Sequence, residues 1–147
     1  MYKHLLVPVD GSKLSLKALD SAAGLAQKLG ASVTAVTVSP PFPMMVAGDG
    51  YVLDLNKPSE WEASIERHAV KVRAAAEKRA TAKGVTIKFV SIVAEQPYDG
   101  IIDTARKFKC DLIVMASHGR KGFSALLLGS ETTKVLTHSK IPVLVCR

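Results

Sequence analysis

The residues best suited to chemistry lie between Asp111 and Ser130, DLIVMASHGRKGFSALLLGS. An apolar run, Leu112-Ile113-Val114-Met115-Ala116, leads into a polar loop, Ser117-His118-Gly119-Arg120-Lys121-Gly122. A second apolar patch, Leu126-Leu127-Leu128, precedes Gly129-Ser130. Small residues after a strand, basic side chains in the loop and a free helix N-terminus are the parts of an anion site. Backbone N–H groups can aim at oxyanions there, and the helix dipole adds positive potential. Ser130 is the expected cap of the following helix. A second polar turn, Asp10-Gly11-Ser12, follows the first apolar run, with Ser12 as an expected N-cap. Asp10 reads either as a turn-forming aspartate or as a ligand-facing one. His118 reads as a loop residue, because no acidic residue stands at an obvious position to orient it.

These two turns need a scaffold, and the hydrophobic pattern supplies one. His4 to Val9 is the first expected strand, with Pro8 tolerable only where the ladder is finishing. Leu19, Ala22, Ala23, Ala26 and Leu29 keep helical spacing up to Gly30, placed as a C-cap. Ala31 to Val38 is rich in β-branched residues and reads as the second strand. Ser39 to Lys57 breaks the pattern with three prolines and two glycines. A connection that long is a loop packed on the sheet edge, or a lid or partner surface using Phe42, Met44, Met45 and Tyr51. Ser59 and Glu62 form a capping box, and Trp61, Ile65, Ala69, Val72, Ala76 and Ala80 trace one helical stripe to Gly84. Val85 to Val93 is the third strand. Pro97 opens a helix with Ile101, Ile102, Ala105 and Phe108 inward. Gly100 inside it costs ~1 kcal/mol against alanine, and the pattern gives no reason for it. A helix from Ser130 to about His138 and a last strand at Pro142 to Arg147 complete the chain.

Strands alternating with helices predict an α/β fold, an open parallel five-stranded sheet with helices on both faces. Orders 2-1-3-4-5 and 3-2-1-4-5 both reverse beside the first strand, where ligands bind at strand C-termini. Under 3-2-1-4-5, the Asp10 turn faces the loop after Ala116. The 147 residues predict one domain, 1–147, with a sizeable core. Composition is that of an ordinary globular chain, 48% hydrophobic and 22% charged. The net charge of +7 is scattered and aromatics are only 5%, which argues against a nucleic-acid interface and suits an anionic small ligand. Two cysteines, Cys110 and Cys146, predict no disulfide framework and fit a reducing compartment. The first residues form neither a signal peptide nor a membrane span, so the expectation is cytoplasmic with no membrane partner.

The standard phosphate and nucleophile motifs are missing: no GxxxxGK[ST], no GxGxxG after the first strand, no GxSxG. What stands instead is Ala116-Ser117-His118-Gly119, nine residues, then Gly129-Ser130. With Pro8 to Ser12, PVDGS, and the terminal PVLVCR, this chain resembles the universal stress protein family over essentially its whole length. The nucleotide-binding branch of that family carries G-x2-G-x9-G-[ST] at the end of the fourth strand. This sequence keeps the spacing, the second and third glycines and the serine, while Ala116 stands in place of the first glycine.

The resemblance implies strand order 3-2-1-4-5 and binding of ATP, or of ADP or AMP, at the C-terminal ends of strands one and four. It places Asp10 against the ribose and the backbone of Val38 at the adenine edge, with Met115 and Ala116 as the floor. Gly119 and Gly129 admit the phosphates, and Ser130 and Thr132 offer hydroxyls and N–H groups. Pro8, Val9, Ser117, His118, Arg120, Gly122 and Glu131 complete the expected nucleotide site. Magnesium accompanying the phosphates would lie near Asp10. The resemblance also implies a homodimer through Ile141 to Cys146, an apolar strand at a sheet edge. Three readings follow: a nucleotide-binding stress protein without efficient turnover, a slow ATPase, or a nucleotide-free dimeric interaction module. No general base, activated nucleophile or metal cluster is evident, so no catalytic residue is assigned.

Overall fold

The computed structural model describes residues 1–42, 58–119 and 127–147, with the backbone alone at 45–46 and 52–53. Its elements, in chain order, are β1 His4–Pro8, α1 Lys13–Leu29, β2 Ser32–Ser39, β3 Met45–Val46, β4 Val52–Leu53, α2 Pro58–Ala82, β5 Ile87–Val93, α3 Pro97–Lys107, β6 Leu112–Ala116, α4 Ser130–His138 and β7 Val143–Cys146. Five of the strands form one sheet in the order β5-β2-β1-β6-β7, and each neighbouring pair is parallel. Numbered along the chain, those five strands give 3-2-1-4-5, as the resemblance implies. The β3–β4 hairpin is antiparallel and separate. It lies inside the long Pro40–Lys57 connection, where the sequence pattern shows no strand. The lid or partner role considered for Met44 and Tyr51 falls outside the described residues.

Alternation along the central strands explains why both faces are covered. Leu5, Val7, Leu112 and Val114 point to one side and pack with Leu19, Ala22 and Ala26 of α1 and Val72 and Ala76 of α2. Leu6, Ile113 and Met115 point to the other and pack with Ile101 and Ala105 of α3 and Val135 of α4. The alanine-rich inner stripe of α1 lets that helix lie close to the sheet. Gly100 has a comparable reason. A Cβ there would come within 3.0 Å of Ile92, 3.1 Å of Ala94 and 3.2 Å of Val38. The helix accepts the propensity cost because α3 meets β2 and β5 at that point.

Several element ends differ from expectation, two of them through backbone hydrogen bonds that fold back onto a helix. Ala31 donates its N–H to the Ala26 carbonyl, and Gly30 is left-handed at φ 63°, so the helix cap consumes Ala31 and β2 begins at Ser32. Val85 donates likewise to Ala80 beyond Gly84 at φ 69°, so β5 begins at Ile87. Ser59 is not an N-cap, since α2 already starts at Pro58, the position where a missing N–H costs least. Pro142 precedes β7 rather than opening it, though its carbonyl accepts from Ile113. Pro8 is the last residue of β1, where a missing donor is tolerated.

At the other end of the sheet one carboxylate ties two strands together. Asp111 accepts from the N–H of Lys3 at 2.8 Å and of His4 at 3.0 Å, and its own N–H donates to the His4 carbonyl at 2.9 Å. Burial alone would raise its pKa; the hydrogen bonds from His4 and Lys3 outweigh that and hold it below the usual carboxylate range. The thiol of neighbouring Cys110 is pushed up to about 11, mainly by burial and then by the Asp111 charge, so it stays a protonated, unreactive core group. Because the Asp111 pKa is lowered, its contribution to stability is complete above a pH of about 4 and fades as pH falls through the folded value. Asp111→Asn should therefore lower the melting temperature at neutral pH, with the loss shrinking in acid. A loss that is the same at every pH would show that the carboxylate charge is irrelevant there.

Candidate functional site

β1 stops early, and that opens the site. Its pairing with β2 ends at Pro8 opposite Val36, closed by a 2.8 Å bond from the Val9 N–H to the Val36 carbonyl. β2 runs on through Thr37, Val38 and Ser39, paired in that stretch only with β5 among the described residues. β6 pairs with β1 only through Leu112 and Ile113, but continues beside β7 to Ala116. A crevice therefore opens over the end of β1, between the outgoing backbones of β2 and β6, where the sheet order reverses.

Two polar turns border the crevice. After β1, Ser12 donates its N–H to Asp10 Oδ1 at 2.9 Å, and Gly11 turns the chain at φ 82°. Ser12 then caps α1, its hydroxyl accepting from the Ser15 N–H at 3.2 Å. Ser15 is buried and braces the turn from below, accepting from the Asp10 N–H at 3.3 Å and donating to the Ser12 carbonyl at 3.0 Å. The sequence reading missed Ser15, although a serine three residues after a cap serine was the available signal.

After β6, Gly119 approaches the Asp10 carboxylate so closely that a Cβ on it would lie 2.8 Å from Oδ2. A Cβ on Gly129 would lie 3.0 Å from His118 Cα and 3.2 Å from the Ser117 carbonyl. Neither glycine has positive φ, so both are needed for closeness rather than for backbone hand. Ala116 likewise has no positive φ; its methyl is compatible with the backbone where the family pattern carries glycine. Met115, Ala116 and Ser117 are buried beneath this loop, Pro8 is half-buried and Val9 buried beside it.

Gly129 rather than Ser130 is the N-cap of α4. Its backbone is extended at φ −60°, ψ 152°; its N–H donates to Ser117 at 2.7 Å and its carbonyl accepts from Thr133 at 3.0 Å. Ser130 is the first helical residue. Two neighbours act as fasteners. The Thr132 hydroxyl, fully buried, donates to the Ala116 carbonyl at 2.9 Å and pins the helix to the end of β6. The Glu131 carboxylate accepts from the Tyr98 N–H at 2.9 Å and from Lys134 at 3.3 Å, so it serves the N-terminus of α3. Arg120 and Gly122 lie outside the described residues. Ser117 Oγ and His118 Nδ1 are 3.2 Å apart, and no carboxylate among the described residues bonds that ring. No group of three or more His, Cys, Asp or Glu gathers among the described residues.

The universal stress protein family model matches residues 1–147. The chain belongs to the universal stress protein family. A universal stress protein of Methanocaldococcus jannaschii is 31% identical over 150 aligned positions, spanning 100% of this chain and 83% of its own length. The solved structure of UspA from Lactobacillus plantarum matches with a TM-score of 0.82 at 26% identity, covering 99% of this chain and 98% of that one. A universal stress protein solved in complex with cAMP matches with a TM-score of 0.69 at 28% identity, covering 99% and 97%.

In this universal stress protein the lining of the crevice depends on α4 staying against β6. Thr132→Val keeps shape but leaves the buried Ala116 carbonyl without a donor, which costs about 1–3 kcal/mol. Urea unfolding should register that loss. An unchanged midpoint would mean that Thr132 does not fasten the helix.

Proposed function

We propose that the protein binds ATP or a related adenine nucleotide in the crevice at the ends of β1 and β6, in a stress-response or signalling role. The observation that carries this reading is the meeting of the Asp10 turn with Gly119, directly over the early end of β1. It places one carboxylate, a glycine loop and a helix start around a single opening. The related protein solved with cAMP supports an adenine ligand.

In this reading Asp10 takes the ribose hydroxyls. The base lies along the β2 backbone at Val38, where β1 no longer covers that edge. Met115 and Ala116 form the floor, with Pro8, Val9, Ser117 and His118 beside them. The loop from Gly119 through Arg120 and Gly122, together with Gly129 and the Ser130 N–H, receives the phosphates. Thr132 and Glu131 hold the helix that presents them. Magnesium accompanying the phosphates would find one protein carboxylate, Asp10. Three or four hydrogen bonds to phosphate oxygens contribute roughly 1.5–3 kcal/mol each, against an association cost of ~4–15 kcal/mol. Micromolar affinity is the expected scale. Binding rather than efficient turnover is favoured, because Ser117 and His118 lack an orienting carboxylate among the described residues.

Calorimetric titration with ATP, ADP and AMP tests the site. Wild type should bind saturably in the micromolar range. Gly129→Val, which drives side-chain atoms into the His118 backbone, should abolish binding with the helical circular dichroism retained. Asp10→Asn should weaken it roughly tenfold, a loss of one charged hydrogen bond. No binding of any of the three by wild type at millimolar concentration would overturn the proposal.

A homodimer through β7 belongs to the same proposal. β7 is a sheet edge whose sole partner strand among the described residues is β6, and Leu144 on it and Leu136 on α4 are 43% and 42% exposed. Light scattering should give twice the 15.7 kDa chain mass, and Leu144→Lys should halve it. A wild-type monomer across the concentration range would rule the dimer out.

A further inference from the structure

The first turn of α4 borders the crevice, and its charged side chain is a carboxylate. Gly129 caps the helix, and Ser130, Glu131 and Thr132 follow. A glutamate near a helix N-terminus ordinarily stabilises the helix. Where the same N-terminus receives a phosphate, the carboxylate competes with it for the positive end of the dipole. Its neighbours do not counter that charge. Ser130 is neutral, and the Thr132 hydroxyl is committed to the Ala116 carbonyl.

Glu131 is also fixed in place. Its Oε2 accepts from the Tyr98 N–H at 2.9 Å and its Oε1 from Lys134 Nζ at 3.3 Å. Gln96, the N-cap of α3, makes no side-chain cap bond, so the carboxylate from α4 supplies an acceptor that α3 lacks. Lys134 is anchored on the α3 side as well. Its Nζ lies 3.4 Å from Gln96 Oε1 and 5.5 Å from the centre of the Tyr98 ring, which stacks on His138 at 5.1 Å. A free surface glutamate can swing away from an arriving anion. With both oxygens engaged, this one keeps its charge in the first turn of α4. Lys134 offsets part of that charge from one turn further along the helix.

We propose that Glu131 makes the site selective by phosphate charge, favouring adenosine monophosphate over the triphosphate. The inference rests on the nucleotide reading above and specifies its ligand. Each further phosphate brings negative charge into the same opening, and a fixed carboxylate repels it more strongly. The repulsion is smallest for a single phosphate.

Calorimetric titration of the full chain with AMP, ADP and ATP in magnesium-free buffer at low salt tests this. Wild type should bind AMP at least as tightly as ATP. Glu131→Gln keeps an acceptor for the Tyr98 N–H and removes the charge. It should bind ATP roughly fivefold more tightly, ADP less so, and AMP within about twofold of wild type. The gain should vanish near 1 M salt, where the screening length falls to about 3 Å. Lys134→Ala, which uncovers the carboxylate, should shift the preference further toward AMP. Asp103→Asn, the same change in charge on an exposed carboxylate of α3, should bind like wild type. Melting curves check that every variant folds. A Glu131→Gln effect equal for all three nucleotides, absent, or insensitive to salt would overturn the selectivity and leave the nucleotide site standing. A wild type that binds ATP tenfold more tightly than AMP would do the same. No binding of any nucleotide by wild type or variant would remove the adenine site and this inference with it.

Discussion

β1 ends at Pro8, with one last bond from the Val9 N–H to Val36 before the chain turns at Gly11, and the neighbouring strands do not stop with it. Everything at the upper edge of the sheet depends on that difference in length. β2 continues to Ser39 and β6 to Ala116, so the space above Val9 has strand backbone on both sides and a polar turn beneath. That turn is built economically. Asp10 accepts from Ser12, Ser12 caps α1, and buried Ser15 bonds to both. The Asp10 carboxylate is thereby held in place by its own turn.

The loop after β6 reaches this turn only because two residues lack side chains. Gly119 permits approach to Asp10 and Gly129 permits approach to His118, at distances a Cβ would make impossible without movement. Around these contacts hydrogen bonds act as fasteners: Gly129 to Ser117, Ser117 to Cys146, and the buried Thr132 to Ala116. An unmade buried hydrogen bond costs about 1–3 kcal/mol, so each of these holds the loop ends more firmly than its net contribution suggests. The site is thus supported from the strand ends, while Asp111 secures β1 and β6 at the opposite end.

Much of this was legible in the residues, because the fold is written in period and the site in spacing. Strand alternation and helical stripes located all five strands of the sheet and the four helices among the described residues; the β3–β4 hairpin was hidden by short strands among prolines and glycines. Ends were misplaced where a backbone N–H beyond a glycine folded back onto the helix, as at Ala31 and Val85, since a local pattern does not show which carbonyl a cap will choose. The reason for Gly100 was invisible for the same kind of cause: it lies in Val38, Ile92 and Ala94, far away in sequence. The family resemblance implies that Glu131 and Thr132 are site residues. Their partners, Tyr98 and Ala116, emerge only when α3, α4 and β6 are packed together.

That contrast bears on Ala116, the one departure from the glycine pattern within the loop. Glycine is required where φ is positive or where another chain presses on Cα. At residue 116 φ is not positive, the residue is still strand, and its carbonyl is already engaged by Thr132. The two glycines that remain are those pressed by Asp10 and by His118. The chain therefore keeps glycine where a Cβ would crowd Asp10 or His118 and relinquishes it where the backbone tolerates one. The methyl at that position sits in buried strand, and the two glycines keep their close approaches to Asp10 and to His118.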